Sequence, residues 1–149
     1  MNILSRRALL AISAVTDIAL YARPMPVSAK ALAARHNLPP RHLEPVLQAL
    51  VRNGILKGVR GPRGGYELAR ERRRIRAGDI VRVAMTAYED EGASPLPESR
   101  LAENVVAPLV REGFEAFLAE LDQVTVEDLC NRAQDEAAVE QSSTSDFTI

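Results

Sequence analysis

Apolar residues in this chain switch between helical spacing and alternation, and the switches divide it into elements. Leu9, Ile12, Val15, Thr16, Ile18 and Leu20 recur at helical spacing, which predicts an amphipathic helix packed beneath the rest of the amino-terminal domain. Pro24 and Pro26 then predict a loop. After Ser28, a good helix cap, the chain reads as a short helix over Ala29–His36, a turn at Asn37 and Leu38, and a second helix over about Pro40–Asn53. Ala33 is small where two helices would cross closely, and Asn37 tolerates the left-handed backbone of such a turn. Leu38, Leu43, Val46, Leu47 and Leu50 supply the buried stripe, so Arg41, Pro45, Gln48 and Arg52 fall on another face of the second helix. This is helix-turn-helix spacing. Pro45 deletes one hydrogen bond and crowds the carbonyl of Arg41, which predicts a bend or a loosened first turn.

Beyond Gly54 the period changes. Ile55, Val59, Tyr66 and Leu68 suit two strands around a tight connection, where Gly61, Gly64 and Gly65 supply backbone freedom and Pro62 stiffens the tip. Arg60 and Arg63 flank that tip, so two cations stand on a narrow ribbon suited to a DNA minor groove or to phosphates. The same glycines suit a nucleotide loop less well. That use needs free backbone N–H groups and a helix directly after, whereas Pro62 has no N–H and Tyr66-Glu67-Leu68 alternates like a strand. A structural turn without function stays open beside both.

Helical spacing returns with Leu101, Val105, Leu109, Phe114, Phe117, Leu118 and Leu121. One isolated helix cannot hide such a stripe. A partner chain is the expected cover, with folding back onto the same chain as the alternative. Pro108 predicts a helix that begins near Ala107 or bends there. Thr125-Val126-Glu127-Asp128 is patterned as a capping box opening a short final helix. After Arg132 the chain turns polar and acidic, with Gln141-Ser142-Ser143-Thr144-Ser145 matching a disordered tail in composition.

Charge sharpens this division. Residues 1–82 hold 16 Lys or Arg against 5 Asp or Glu, a balance of +11, while residues 83–149 hold 3 against 15, a balance of −12. The near-neutral total of −1 hides a basic front and an acidic rear, and only the front suits a polyanion. His42 and Glu44 lie near the amino end of the second helix, the end that meets base edges in this motif, and Arg41, His42, Glu44 and Gln48 are the candidate readers. An ordinary solvated face is the plainer interpretation of the same residues. The run Arg70, Arg72, Arg73, Arg74 and Arg76 could reach phosphates beside the groove.

Other classes find few parts. His36 and His42 stand without a neighbouring serine or cysteine, which argues against an enzyme. No apolar run reaches the roughly 20 residues of a membrane helix. Ser5-Arg6-Arg7 with the apolar run after it and Val27-Ser28-Ala29 imitates a twin-arginine export signal, but Asp17 interrupts its apolar core, and a cytoplasmic protein is expected.

The residues also carry a resemblance. The amino-terminal helix with Arg6 and Arg7, Leu43-Glu44, Asn53-Gly54-Ile55-Leu56, the string from Val59 through Gly64-Gly65-Tyr66 to Arg70, and Val124-Thr125-Val126-Glu127-Asp128-Leu129 together resemble the Rrf2 family of bacterial transcription regulators over about residues 1–132. The resemblance implies a homodimeric winged-helix protein that binds double-stranded DNA, usually a repressor, with a long carboxy-terminal helix crossing to its partner. It also implies base discrimination by Glu44 and a minor-groove contact by Arg60. Family members with an iron–sulfur cluster carry three cysteines in the segment matching Tyr88 to Asn104, and here that segment has none. Cluster ligation uses several thiolates, with histidine as an occasional substitute, so no cluster and no other cofactor is expected. Glu89, Asp90, Glu91 and Glu98 suit a hard cation or, more simply, a solvated loop. Cys130 is the one cysteine, so it has no intrachain disulfide partner; it reads as a buried thiol, with a redox sensor as the alternative.

The expected fold is mainly α with a small β-hairpin. A winged helix-turn-helix domain spans residues 1–85, a loop 86–100, a dimerisation helix and short final helix 101–132, and a disordered tail 133–149. The expected function is sequence-specific transcriptional regulation by a homodimer on a near-palindromic operator. A protein-binding adaptor and a thiol-based sensor on the same fold are the alternatives.

Overall fold

Serines open the first two helices. In the computed structural model, which describes residues 4–87 and 99–145, Ser5 Oγ accepts from Ala8 N at 3.3 Å at the start of α1 (Arg6–Tyr21). Ser28 Oγ accepts from Ala31 N at 3.1 Å at the start of α2 (Ala29–Arg35). Such caps satisfy amide groups that have no partner inside the helix. Asn37 then takes a φ of 53°, the left-handed turn that few side chains tolerate, and delivers the chain to α3 (Pro40–Arg52).

Pro45 does not interrupt α3. The first turn is tightened by a 3.0 Å bond from His42 N to Pro39 O, and the helix runs on to Arg52. Arg41 and Pro45 are both exposed, so water can serve the carbonyl that proline leaves without a donor.

β1 (Leu56–Val59) and β2 (Gly65–Leu68) pair antiparallel, Leu56 opposite Leu68 and Val59 opposite Gly65. Val27, before α2, adds one more rung by exchanging two bonds with Tyr66, at 2.9 and 2.8 Å. Gly65 makes that approach possible, because a Cβ there would overlap the Val27 carbonyl.

A single-turn 3₁₀ segment, Arg72–Arg74, leads into α4 (Ala77–Thr86). α1 runs through the middle of the assembly, touching α2, α3, α4, β2 and the last helix. Its buried face differs from the one its large residues predict. Ala8, Ala11, Ala14, Val15 and Ile18 are sealed, whereas Leu9 is 47% exposed and Ile12 and Leu20 are half-buried. Small alanines let α1 approach its neighbours closely, and Leu32, Leu43, Leu47, Leu50, Ile55, Ile75 and Ile80 complete the core.

The carboxy-terminal part begins with a π-helical stretch, Ala102–Val106, which passes into α5 (Ala107–Leu121). Ala107 N bonds to Ala102 O, and this wider turn comes just before Pro108, where an ordinary ladder would meet the proline ring. Leu118 of α5 is buried and α5 packs on α4, but Leu101 and Leu109 are each 67% exposed and Val105 is 58% exposed. The stripe therefore divides: its end folds back onto its own chain, and its beginning does not.

Arg82 of α4 reaches Asp122 with two bonds, 2.7 and 2.8 Å, directly over Gly78. The expected capping box is present, with Asp128 N to Thr125 Oγ1 at 3.1 Å and Thr125 N to Asp128 Oδ2 at 2.9 Å. The helix it opens, α6 (Val126–Ser145), is 20 residues long. The final helix is thus not short, and the disorder expected from residue 133 is replaced by helix as far as Ser145. Alanine, glutamate and glutamine between Ala133 and Gln141 have high helix propensity, and once a docked first turn supplies the nucleus, elongation is inexpensive.

Candidate nucleic-acid interface

α3 has two sharply different sides. Leu43, Val46, Leu47, Ala49 and Leu50 are buried, while Arg41, Glu44, Pro45, Gln48 and Arg52 form an exposed strip at intervals of three and four. His42 is exposed beside the strip, near its start. The strip thus offers cation, carboxylate and amide groups together on one ridge, with its amino end uncovered by any side-chain cap.

The hairpin stands next to this ridge. Gln48 and Val51 share a cleft of about 490 Å³ with Val59, Arg60, Gly61 and Tyr66, so one candidate reader and one candidate wing cation meet across a gap between α3 and β1–β2. The wing tip is closed by Gly64 N bonding to Gly61 O at 2.9 Å, with Gly61 at a φ of 117° that a side chain would strain. Arg60 and Arg63 are exposed on either side of that tip. They do not face the same way: Arg63 lines a different cleft with Arg23, Arg35 and the loop before α2. Arg41 and His42 lie on the other flank of α3, against the start of α1.

The run Arg70–Arg76 takes another place. The Arg72–Arg74 turn packs near α6, and Arg73 Nε is held by Glu71 at 2.6 Å, which keeps the Glu71 carboxyl below its usual range. Cys130 is fully buried in the core. Glu89, Asp90 and Glu91, with Glu98, lie outside the described residues; among those described, no three His, Cys, Asp or Glu gather as a metal site. No described helix is long and apolar enough to cross a membrane.

Two polar clusters outside this ridge are not visible as motifs. Asp17, on the buried face of α1, accepts from Arg35 Nη2 at 2.6 Å and Nε at 2.9 Å and lies 3.2 Å from His36 Nε2. Arg35 also lies over the Tyr21 ring, 4.4 Å from its centre. The cluster ties the carboxy end of α2 to α1, just before the turn that leads to α3. The hint in the sequence is a lone acid on an apolar face, which demands a partner but does not say where it is. The second cluster is Arg82–Asp122. The bond from Arg82 holds the Asp122 carboxyl below its ordinary range, and the same pairing raises Arg82.

The family model described as "Iron-dependent Transcriptional regulator", Rrf2, matches residues 4–132. The chain belongs to the Rrf2 family. Among relatives, a Synechocystis protein described as an HTH-type transcriptional regulator, slr0846, is 37% identical over 123 residues, covering 79% of this chain and 80% of its own length. CymR of Bacillus subtilis, also an HTH-type transcriptional regulator, is 36% identical over 110 residues, covering 71% and 73%. The solved structure of that CymR, called the global cysteine regulator of its organism, superposes with a TM-score of 0.65 at 28% identity over 89% of this chain and 98% of its own. IscR of T. potens superposes with a TM-score of 0.68 at 32% identity over 89% of each chain. The winged-helix fold and the DNA-binding regulator class are thereby established for this Rrf2 protein; its relatives are transcriptional regulators, not enzymes.

Proposed function

We propose that this Rrf2 protein is a cytoplasmic homodimeric repressor that binds a near-palindromic operator without an iron–sulfur cluster. The observation that carries the reading is the exposed ridge of α3 joined to the basic wing through the shared Gln48–Arg60 cleft. Arg41, His42, Glu44 and Gln48 enter a major groove amino end first; Arg60 and Arg63 grip the adjacent minor groove and phosphates. The apolar stretch that leads through the π-helical turn into α5, open at Leu101, Val105 and Leu109, meets the same surface of a second copy. Two α3 helices then address half-sites about 10 base pairs apart or a multiple of that. Occupying a promoter in this way excludes polymerase.

The residues present do not fit a cluster. Cys130 is the chain's one cysteine, and it lies buried in the core, away from any set of ligands among the described residues. Its burial also weighs against the thiol-sensor alternative, which needs a reachable thiolate. α1 supplies much of the core, so an export cleavage past Ala29 would remove what the domain folds around.

A filter-binding salt titration on a duplex that the protein selects from a random pool separates this reading from the adaptor. Affinity should fall steeply as salt rises, since neutralised phosphates release counterions. Arg60→Ala should weaken binding across all sequences and Glu44→Ala should relax preference at one base position, each by roughly 1–3 kcal/mol. Salt-insensitive association, or affinity unchanged by both substitutions, contradicts the assignment.

A further inference from the structure

Where the wing joins the rest of its domain, the end of α1, the end of β2 and the arginine-rich turn after it border a cleft of about 340 Å³. Ile18, Ala19, Ala22 and Leu68 give it an apolar wall, with Ile18 sealed and the other three half-buried. Arg23, Arg70 and Arg72 line it as well, and among the described residues none of the three makes an ion pair, a side-chain hydrogen bond or a ring contact. Two carboxylates also border the cleft, but each is matched by a cation that does not line it. Lys57 Nζ lies 3.4 Å from Glu67 across the hairpin, and Arg73 Nε donates to Glu71 at 2.6 Å. The cleft therefore keeps a surplus of three guanidinium groups. Like charges gathered around one cleft repel, and an anion set among them removes that cost. The carbonyls at the end of α1 oppose an anion with only about half an elementary charge, so the guanidinium groups prevail. A guanidinium presents a planar fork that matches a carboxylate, and Arg72 is half-buried, where such a bond is less screened than in open water. The volume is at the small end for a ligand pocket. The apolar wall calls for hydrocarbon between the charges, which inorganic anions lack.

We propose that this cleft binds a small organic anion, a short hydrocarbon chain carrying two or more carboxylates, with Arg23, Arg70 and Arg72 on the carboxylates and Ile18, Ala22 and Leu68 against the chain. The arginine run expected beside the DNA groove sends two of its members to a different anion. An anion held there joins α1 to the strand that carries the wing.

Isothermal titration of the full chain with glutarate, at an ionic strength held constant with sodium chloride, tests this without DNA and so stands apart from the operator reading. Saturable binding of one glutarate per chain is expected, with a Kd of about 1 mM or tighter. Arg23→Gln and Arg70→Gln, both at exposed positions, should each weaken it about tenfold, the equivalent of one charge-assisted hydrogen bond. Arg72→Gln should weaken it at least as much; because Arg72 is half-buried, the two exposed variants stand in for it should its replacement unfold the chain. Arg132→Gln removes the same charge from an exposed position on α6 that does not line the cleft, and should leave binding unchanged. Inorganic phosphate should bind about tenfold more weakly than glutarate, since it has no hydrocarbon to cover the apolar wall. An absence of saturable heat, binding that all three cleft substitutions leave unchanged, or phosphate held as tightly as glutarate overturns the proposal. An equal loss in Arg132→Gln would reveal attraction to overall charge and overturns it too.

Discussion

Asp17 is a carboxylate placed where α1 otherwise presents alanine and branched aliphatics, and it persists there because Arg35 and His36 satisfy both of its oxygens. Asp17→Asn keeps the shape but cannot accept the same charge-assisted bonds. It should destabilise the protein by about 1–3 kcal/mol in urea unfolding, the usual range for losing hydrogen bonds to a charged partner, and an unchanged midpoint would show the cluster to be ornamental. Because the cluster anchors α2, weaker DNA binding should accompany the loss even though Asp17 is remote from the ridge. This residue also marks a limit of reading the chain as text. Asn37 and the wing glycines are legible because local backbone conformation demands them; a contact between Asp17 and Arg35 depends on how two helices cross, which no local spacing encodes.

At the level of elements, the joint between α4 and α5 is held by Arg82 and Asp122, with Ala77 N to Val124 O at 2.8 Å and Val126 N to Ile75 O at 2.9 Å beside it. Since Arg82 depresses the Asp122 pKa, the bond's contribution is complete above the unfolded aspartate value near 4 and disappears as pH falls through the lower folded value. Thermal unfolding tracked from about pH 5 to pH 2 should therefore show a decline that Asp122→Asn makes shallower. At neutral pH the same variant should cost about 1 kcal/mol, discounted because Arg82 is 41% exposed. A variant with the wild-type pH profile would show the joint to be dispensable. The helix-turn-helix and hairpin are readable from periodicity and glycine placement alone. Two elements are not: α1 buries alanines, which hydropathy counting undervalues, and α6 continues because propensity and a docked start prevail over a polar composition.

For the molecule as a whole, the proposed dimer would give one use to both the uneven charge of the sequence and the exposed apolar stretch that leads into α5. Leu109→Arg places a charge within the exposed apolar stretch. It should convert the dimer to monomer in light scattering and abolish high-affinity operator binding, while leaving the fold intact by circular dichroism. A dimer that survives this change would place the interface elsewhere. Symmetric DNA recognition itself is best probed by hydroxyl-radical footprinting on duplexes selected by the protein from a random pool. Two equivalent protected half-sites are expected, centred about 10 base pairs apart or a multiple of that, related by a two-fold axis and flanked by protection of the minor groove beneath the wings. A single unsymmetrical footprint, or a pool that yields no protected sequence, would contradict a paired, groove-reading dimer.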